Sequence, residues 1–226
     1  MGQGAARGTA MGLAEAQLAR VASDGLAAHE HVSKLRRHSG PQSARDLADA
    51  VHLLCQLYGR HPGMLEMALG ATPAGPVRDW MMQAADAFDR ERLFLVQMMS
   101  LVGPMPSTPG AAQTESALVA QRRAIETLAR SERDGCALGA ATALVADWPL
   151  VRAVLDAAAA RFGHDAPDCA MPGDAASVEV IETGVSSVAA ERALAFGADQ
   201  LLLQHRGLFD LLEARAEARD KADGIV

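Results

Sequence analysis

The chain has 226 residues, of which 50% are hydrophobic and only 4% aromatic, and it carries a formal net charge of −7. Ala, Leu, Val and Met supply most of the apolar mass, and because Ala and Leu favour helices the composition predicts an all-α protein. The acidic balance argues against a nucleic-acid-binding surface. No apolar run reaches the roughly 18 residues that a membrane span requires.

The first part of the chain alternates between helical patterns and glycine- or proline-rich breaks. Residues 1–10 are rich in Gly and Ala and predict a flexible tail. Apolar residues at helical spacing then predict one helix over residues 11–38, and a second helix over residues 43–59. A short helical piece is expected over residues 64–69, followed by a linker at residues 70–76.

The central part predicts three more helices. The third runs from Pro76, a residue suited to a first helical turn, to Val102. The fourth is expected over residues 108–146, with a kink or break at Asp134-Gly135. Asp147 is predicted to cap a fifth helix that ends near Gly163.

The last part contains one long linker and one long helix. Residues 163–186 predict the linker, and the strand-like run at residues 178–183 is expected to be extended loop, since a lone strand has no partner. The final helix should begin at Ser186 or Ser187. Residues 135–143 are almost all small, so we expect another helix to approach closely there. Together these elements predict a single domain, residues 11–222.

The predicted architecture is an up-down bundle of four long helices with one or two shorter accessory helices. The three cysteines form no CxxC pair, so neither a disulfide framework nor a thiolate zinc site is expected. The N-terminus lacks the apolar core of a signal peptide. We therefore expect a soluble, cytoplasmic protein without a membrane or nucleic-acid partner. A homodimer is compatible with the sequence.

Four ionisable residues fall near the middle of helices on the face that should be apolar: His29, Glu91, Glu126 and His205. A charge or imidazole in a packed stripe is costly unless it finds a partner. Facing helices of ferritin-like proteins hold two metal ions with such carboxylates and imidazoles. The four residues are therefore the candidate ligands of an iron, manganese or zinc ion.

Two features weigh against a metal at this place. Ferritin-like sites use a Glu-x-x-His pair on each of two helices, and the long predicted helices carry none. Arg122 lies one turn before Glu126, where it would repel a cation and pair with Glu126 or Glu91. The favoured interpretation is a buried ion pair or triad with the histidines hydrogen-bonded to it. An organic ligand held by the same polar cluster is the remaining alternative.

Several short segments resemble a bacterial family classed only as a domain of unknown function. They are Gly59-Arg-His-Pro-Gly63, Pro104-Met-Pro-Ser-Thr-Pro-Gly110 and Arg130-Ser-Glu-Arg-Asp-Gly-Cys-Ala-Leu-Gly-Ala140, followed by Asp147-Trp148. The resemblance covers residues 20–163 and implies no activity, cofactor or site residue.

Two functions remain open on the sequence alone. The first is an interaction or scaffold protein of unknown activity, without chemistry, in which the inward polar residues fix the register of the helices. The second is a ferritin-like metal-binding protein or oxidoreductase. No nucleotide-binding or hydrolase motif is present, and the sequence names neither a cofactor nor a partner.

Overall fold

The computed structural model describes residues 3–37 and 39–225. Over these residues the chain is helical and contains no β-strand. A single 3-10 turn, Leu26–Ala28, follows the first helix. The nine α-helices are α1 (Gln3–Asp24), α2 (Glu30–Arg37), α3 (Ser43–Tyr58), α4 (Met64–Ala71), α5 (Pro76–Leu101), α6 (Ala111–Ala129), α7 (Cys136–Arg161), α8 (Asp174–Gly184) and α9 (Val188–Ala222).

The centre of the molecule is α7, which packs against all eight other helices. Its residues are mainly Ala, Leu and Val, and none is exposed from Cys136 to Trp148, whereas Pro149, Asp156 and Ala160 form a narrow solvent face in its second half. By length and composition α7 resembles a membrane-crossing helix, but most of it is buried inside the protein. The all-α prediction is therefore confirmed, whereas the up-down arrangement of four long helices is not.

The most extensive helix pair is α7 with α9, and glycines bring their backbones into contact. A Cβ atom on Gly139 would lie 1.9 Å from the carbonyl oxygen of Leu194. A Cβ atom on Gly197 would lie 2.1 Å from the carbonyl oxygen of Cys136. Any side chain at either position would force the helices apart, so the small residues at 135–143 serve the close approach that the sequence predicts.

The predicted first helix is broken by a contact with α7. The break begins at Gly25, where the chain leaves α1, and it ends at His29, just before α2. The backbone N–H of Leu26 donates to the carboxylate of Asp147 at 3.0 Å instead of continuing the helix. Residues 3–10 of the predicted loose tail belong to α1, which begins at Gln3, and residues 1 and 2 lie outside the described residues, so the flexibility of the tail stays a prediction.

Two further predictions are wrong in the second half of the chain. Residues 178–183 lie within α8 rather than in extended loop, since Val180 and Ile181 find a core to pack against. Asp147 does not start a helix, because α7 continues through Pro149. The break before α7 does fall at Asp134-Gly135, and Ser187 caps α9 by accepting a hydrogen bond from the backbone N–H of Ala190 at 3.1 Å.

Candidate functional site

One buried aspartate–histidine hydrogen bond joins α7 to α9. Oδ2 of Asp147 lies 2.6 Å from Nδ1 of His205, and both side chains are almost completely inaccessible to solvent. Oδ1 of the same carboxylate accepts the backbone N–H of Leu26. Gly25 makes this contact possible, because a Cβ atom there would lie 2.5 Å from Oδ1. Asp147 therefore fixes three segments of chain at one point.

A buried ion pair joins α5 to α7. Oε1 of Glu91 accepts from Nη1 of Arg152 at 2.8 Å, and Oε2 accepts from Nε1 of Trp148 at 2.9 Å. Burial lowers the pKa of Arg152, but the hydrogen bond to Asp156 and the charge of Glu91 outweigh burial and raise that pKa above its ordinary value. Both oxygens of the Glu91 carboxylate thus have strong partners.

Tyr58, from α3, lies against both of these buried pairs. Its ring meets the ring of Trp148 edge-on at 5.5 Å and the ring of His205 edge-on at 5.8 Å. Burial, and then the charge of Asp147, raise the pKa of Tyr58 well above its ordinary value. The Tyr58 hydroxyl and Nε2 of His205 are both buried, and neither has a hydrogen-bond partner among the described residues.

The segment of residues 163–173 covers the outer side of the Glu91–Arg152 pair. Arg152 donates through Nη2 to the carbonyl oxygen of Pro167, and the ring of His164 stacks on Phe94. Burial of its thiol is the largest cause of a raised pKa of Cys169, and the neighbouring carboxylate of Glu91 adds to it. The segment therefore closes the ion pair off from water.

A third buried network joins α3 to α9. The carboxylate of Asp49 is completely buried and receives both Nη2 and Nε of Arg215, at 2.6 and 2.9 Å. Arg219 donates to the same carboxylate at 2.5 Å and to Asp46 at 2.9 Å. Nη1 of Arg215 also donates to the hydroxyl of Thr114, which ties α6 to the network.

The four predicted ligand residues do not come together. Glu91 and His205 are buried as expected, but each has its own partner in the pairs described above. His29 lies at the start of α2, where Nδ1 accepts the backbone N–H of His31 and Nε2 contacts the exposed Asp210 at 3.1 Å. Glu126 is only half-buried and lines a surface groove.

Arg122 also differs from its predicted role as an ion-pair partner. Its Nη2 donates to the backbone carbonyl of Gln56 at 2.6 Å, and it forms no ion pair with Glu126 or Glu91. The expected common centre therefore does not form, because the helices that carry the four residues present them to different neighbours. Metal binding by the chain stays a prediction.

One other trio of possible metal ligands lies on the surface. The ligand atoms of His61, Glu66 and Asp89 fall within 4.8 Å of one another, and no other such trio occurs in the described part of the chain. Arg92 contacts both carboxylates, through Nη2 to Glu66 at 2.8 Å and through Nη1 to Asp89. A single guanidinium already contacts both carboxylates, so the cluster has the composition of a structural ion-pair network.

Sequence reasoning missed the partners rather than the inward charges themselves. Arg152 and Asp49 each stand between two apolar residues in the sequence of a helix, and this pattern could have identified them. Asp147 was expected at a helix start, a common place for aspartate. Its burial follows from the continuation of α7 through Pro149, which the local sequence does not indicate.

In the three networks the carboxylates are fully occupied, although Nε2 of His205 and Nε of Arg219 lack a partner among the described residues. Each carboxylate oxygen that faces the core is occupied by a guanidinium, imidazole, indole or backbone donor, and Glu91, Asp147 and His205 are 0–1% exposed. A substrate or metal ion would have to displace these partners and move α5, α7 or α9. The arrangement is suited to holding helices in place.

Comparisons with known proteins add one finding. Residues 21–220 match a protein family described as "Family of unknown function (DUF6975)". Neither the search of curated proteins nor the search of solved structures gave a match. The match extends beyond the segments that carry the sequence resemblance and includes nearly all of α9. Because it covers most of the chain, the protein belongs to this family of unknown function.

Proposed function

We propose that this protein is an interaction protein without chemistry of its own, and that its buried ionisable residues hold its helices in register. The observation that carries the proposal is the closure of the inward charges in pairs that each link two helices. Glu91–Arg152 links α5 to α7, Asp147–His205 links α7 to α9, and Asp49–Arg215 links α3 to α9.

Such pairs support specificity of packing more than stability. A buried ion pair stabilises the fold little more than well-packed apolar residues of the same size, because the free energy needed to remove both charges from water is about as large as the free energy of their attraction. A pair does penalise every register in which one charge loses its partner. The α7–α9 contact is formed by small residues such as Ala and Gly, whose side chains distinguish one helix register from another only weakly. Polar pairs would then determine the register.

The proposed location is the cytoplasm, where thiols stay reduced. Its support is that the three cysteines are free, and that two of them, Cys55 and Cys136, lie in helices that pack into the fold. A homodimer is one form that the proposed interaction could take.

The test separates a structural role of the Glu91–Arg152 pair from a chemical one. Glu91→Leu alone should destabilise the fold by about 1–3 kcal/mol for each buried donor that loses its acceptor, the guanidinium of Arg152 and the indole N–H of Trp148. The double variant Glu91→Leu with Arg152→Met removes both charges and should recover the part of that loss that Arg152 causes. Unfolding in denaturant measures both variants.

The same double variant tests the interaction. Cross-linking in the native cells should give the wild type and the double variant the same set of covalent complexes. A folded double variant that loses these complexes, or a wild-type chain that forms none, would contradict the proposal. Stoichiometric iron, manganese or zinc in the purified protein, lost in Glu91→Leu, would favour the metal-binding alternative.

A further inference from the structure

A groove of about 710 Å³ lies on the side of the protein where α3, α6 and the loop before α6 meet. Arg60 follows the end of α3, and Arg122 comes from the middle of α6. Met105, from the loop, and Val119, from α6, contribute apolar surface. A volume of this size matches the clefts that hold small organic ligands.

Two neighbouring arginines distinguish this groove: the half-buried Arg122 and the exposed Arg60. Neither forms an ion pair with a carboxylate of the described residues, whereas the buried arginines Arg152 and Arg215 are paired. Both also line a small adjoining cavity of about 30 Å³, so their guanidinium groups are neighbours. Burial, and then the charge of Arg60, lower the pKa of Arg122, and the attraction of Glu126 comes after both. Two cations thus meet at one end of the groove, where Glu126 lines the same small cavity but forms no ion pair with either of them.

Arg122 is held in place for binding. Its Nη2 donates to the carbonyl oxygen of Gln56, which orients the guanidinium plane, and its Nε is buried without a hydrogen-bond partner among the described residues. The base of the groove is equally fixed, because Arg215 is 4% exposed and bound to Asp49 and Thr114. A preformed site of this kind loses little entropy on binding.

We propose that this groove binds a small organic molecule carrying a carboxylate or phosphate group, with the anion between Arg60 and Arg122 and the apolar part against Met105 and Val119. Guanidinium groups bind the oxygens of carboxylates and phosphates through paired, charge-assisted hydrogen bonds. A bound anion also removes the repulsion between the two arginines. Glu115, at the same groove, disfavours ligands with negative charge along their whole length. The inference does not depend on the proposed interaction with a macromolecule.

The experiment measures the binding of four probes to the full chain by calorimetry: octanoate, octyl phosphate, octanol and inorganic phosphate. Octanoate or octyl phosphate should bind, and the tighter of the two identifies the anionic group. Octanol should not bind, and inorganic phosphate should bind more weakly than octyl phosphate. Arg60→Gln and Arg122→Gln should each weaken binding by about tenfold or more, since each removes charge-assisted hydrogen bonds.

Arg123→Gln is the matched control, because Arg123 is the next residue on α6 and lines a different groove, beside Glu126 and Phe196. It should leave the affinity unchanged. Arg60 is exposed, so Arg60→Gln stays informative even if Arg122→Gln fails to fold. The inference is overturned if none of the probes binds, or if octanol binds as tightly as octanoate. It is also overturned if inorganic phosphate binds as tightly as octyl phosphate, or if Arg60→Gln and Arg123→Gln weaken binding equally.

Thiol labelling gives a second readout within the same molecule. Cys55 lines the groove, whereas Cys169 lies in the segment of residues 163–173 on another part of the chain. Octanoate should slow the alkylation of Cys55 and leave that of Cys169 unchanged. Equal rates at Cys55 with and without octanoate, at a concentration that calorimetry shows to be saturating, would place the ligand elsewhere.

Discussion

Asp147→Ala tests the view that buried ion pairs hold the helices together. The substitution removes the carboxylate that accepts from His205 at 2.6 Å and from the backbone N–H of Leu26 at 3.0 Å. Both donors lie in the core, and Nε2 of His205 already lacks a partner among the described residues. No other acceptor is available to either donor without a shift of α9 or of the turn after α1.

The expected loss follows from these two contacts. A buried donor left without an acceptor costs about 1–3 kcal/mol, and breaking one side of a buried ion pair costs about 3–5 kcal/mol in measured cases. We therefore expect Asp147→Ala to lower the free energy of unfolding by about 3–5 kcal/mol, which for a domain of this size lowers Tm by about 6–20 °C. Asp147→Asn keeps an oxygen for the N–H of Leu26 and should lose less.

Unfolding in urea, followed by circular dichroism, measures the effect. Asp199→Ala is the matched control, because Asp199 also lies on a long helix and pairs with Arg20 at 3.2 Å, but its side chain is 52% exposed. That variant should change stability by at most about 1 kcal/mol. If Asp147→Ala costs no more than Asp199→Ala, the buried pair does not stabilise the packing of α7 on α9.

Two further predictions concern the core. Tyr58 is the only tyrosine of the chain, so the absorbance of tyrosinate reports this residue alone. Because burial raises the pKa of Tyr58 above the ordinary tyrosine value of 10, the tyrosinate signal should appear only when the protein unfolds at higher pH. Tyr58 loses its proton at lower pH in the unfolded chain than in the folded protein, so the free energy of unfolding falls as pH rises above 10. Tyr58→Phe should remove this pH-dependent loss and should change the free energy of unfolding at neutral pH by less than about 1 kcal/mol. Ionisation of the folded protein near pH 10 would contradict the reasoning. Gly197→Ala should destabilise by about 3 kcal/mol or more, because the new Cβ would meet a backbone carbonyl at 2.1 Å. Gly70→Ala, where the added Cβ has no atom within contact distance, should stabilise the fold by about 0.5–1 kcal/mol. If denaturant unfolding shows similar effects for Gly197→Ala and Gly70→Ala, the close packing of α7 on α9 is refuted.

The features that the sequence predicted correctly depend on short-range chemistry. Ser187 caps α9, Pro76 stands in the first turn of α5, and the chain breaks before α7 at Asp134-Gly135. The positions of Glu91 and His205 inside the protein also follow from helical spacing. These properties depend on residues within a few turns of one another, so the local sequence contains the information.

The features that it predicted wrongly depend on contacts distant in the chain. The helix break at Gly25 needs the carboxylate of Asp147, and the helical state of residues 178–183 needs a core for Val180 and Ile181. The meeting of Arg60 and Arg122 likewise brings together residues that share no local pattern.

The amino-acid sequence alone determined that this protein is helical, where α3, α4, α5 and α9 begin and end, and that certain charges face inward. Only the tertiary structure decided the partner of each charge, and it separated four residues that were expected to share one centre. The physical reason is that helical periodicity fixes the direction in which a side chain points from the axis of its helix. Which side chain it meets on a neighbouring helix depends on how the two helices cross.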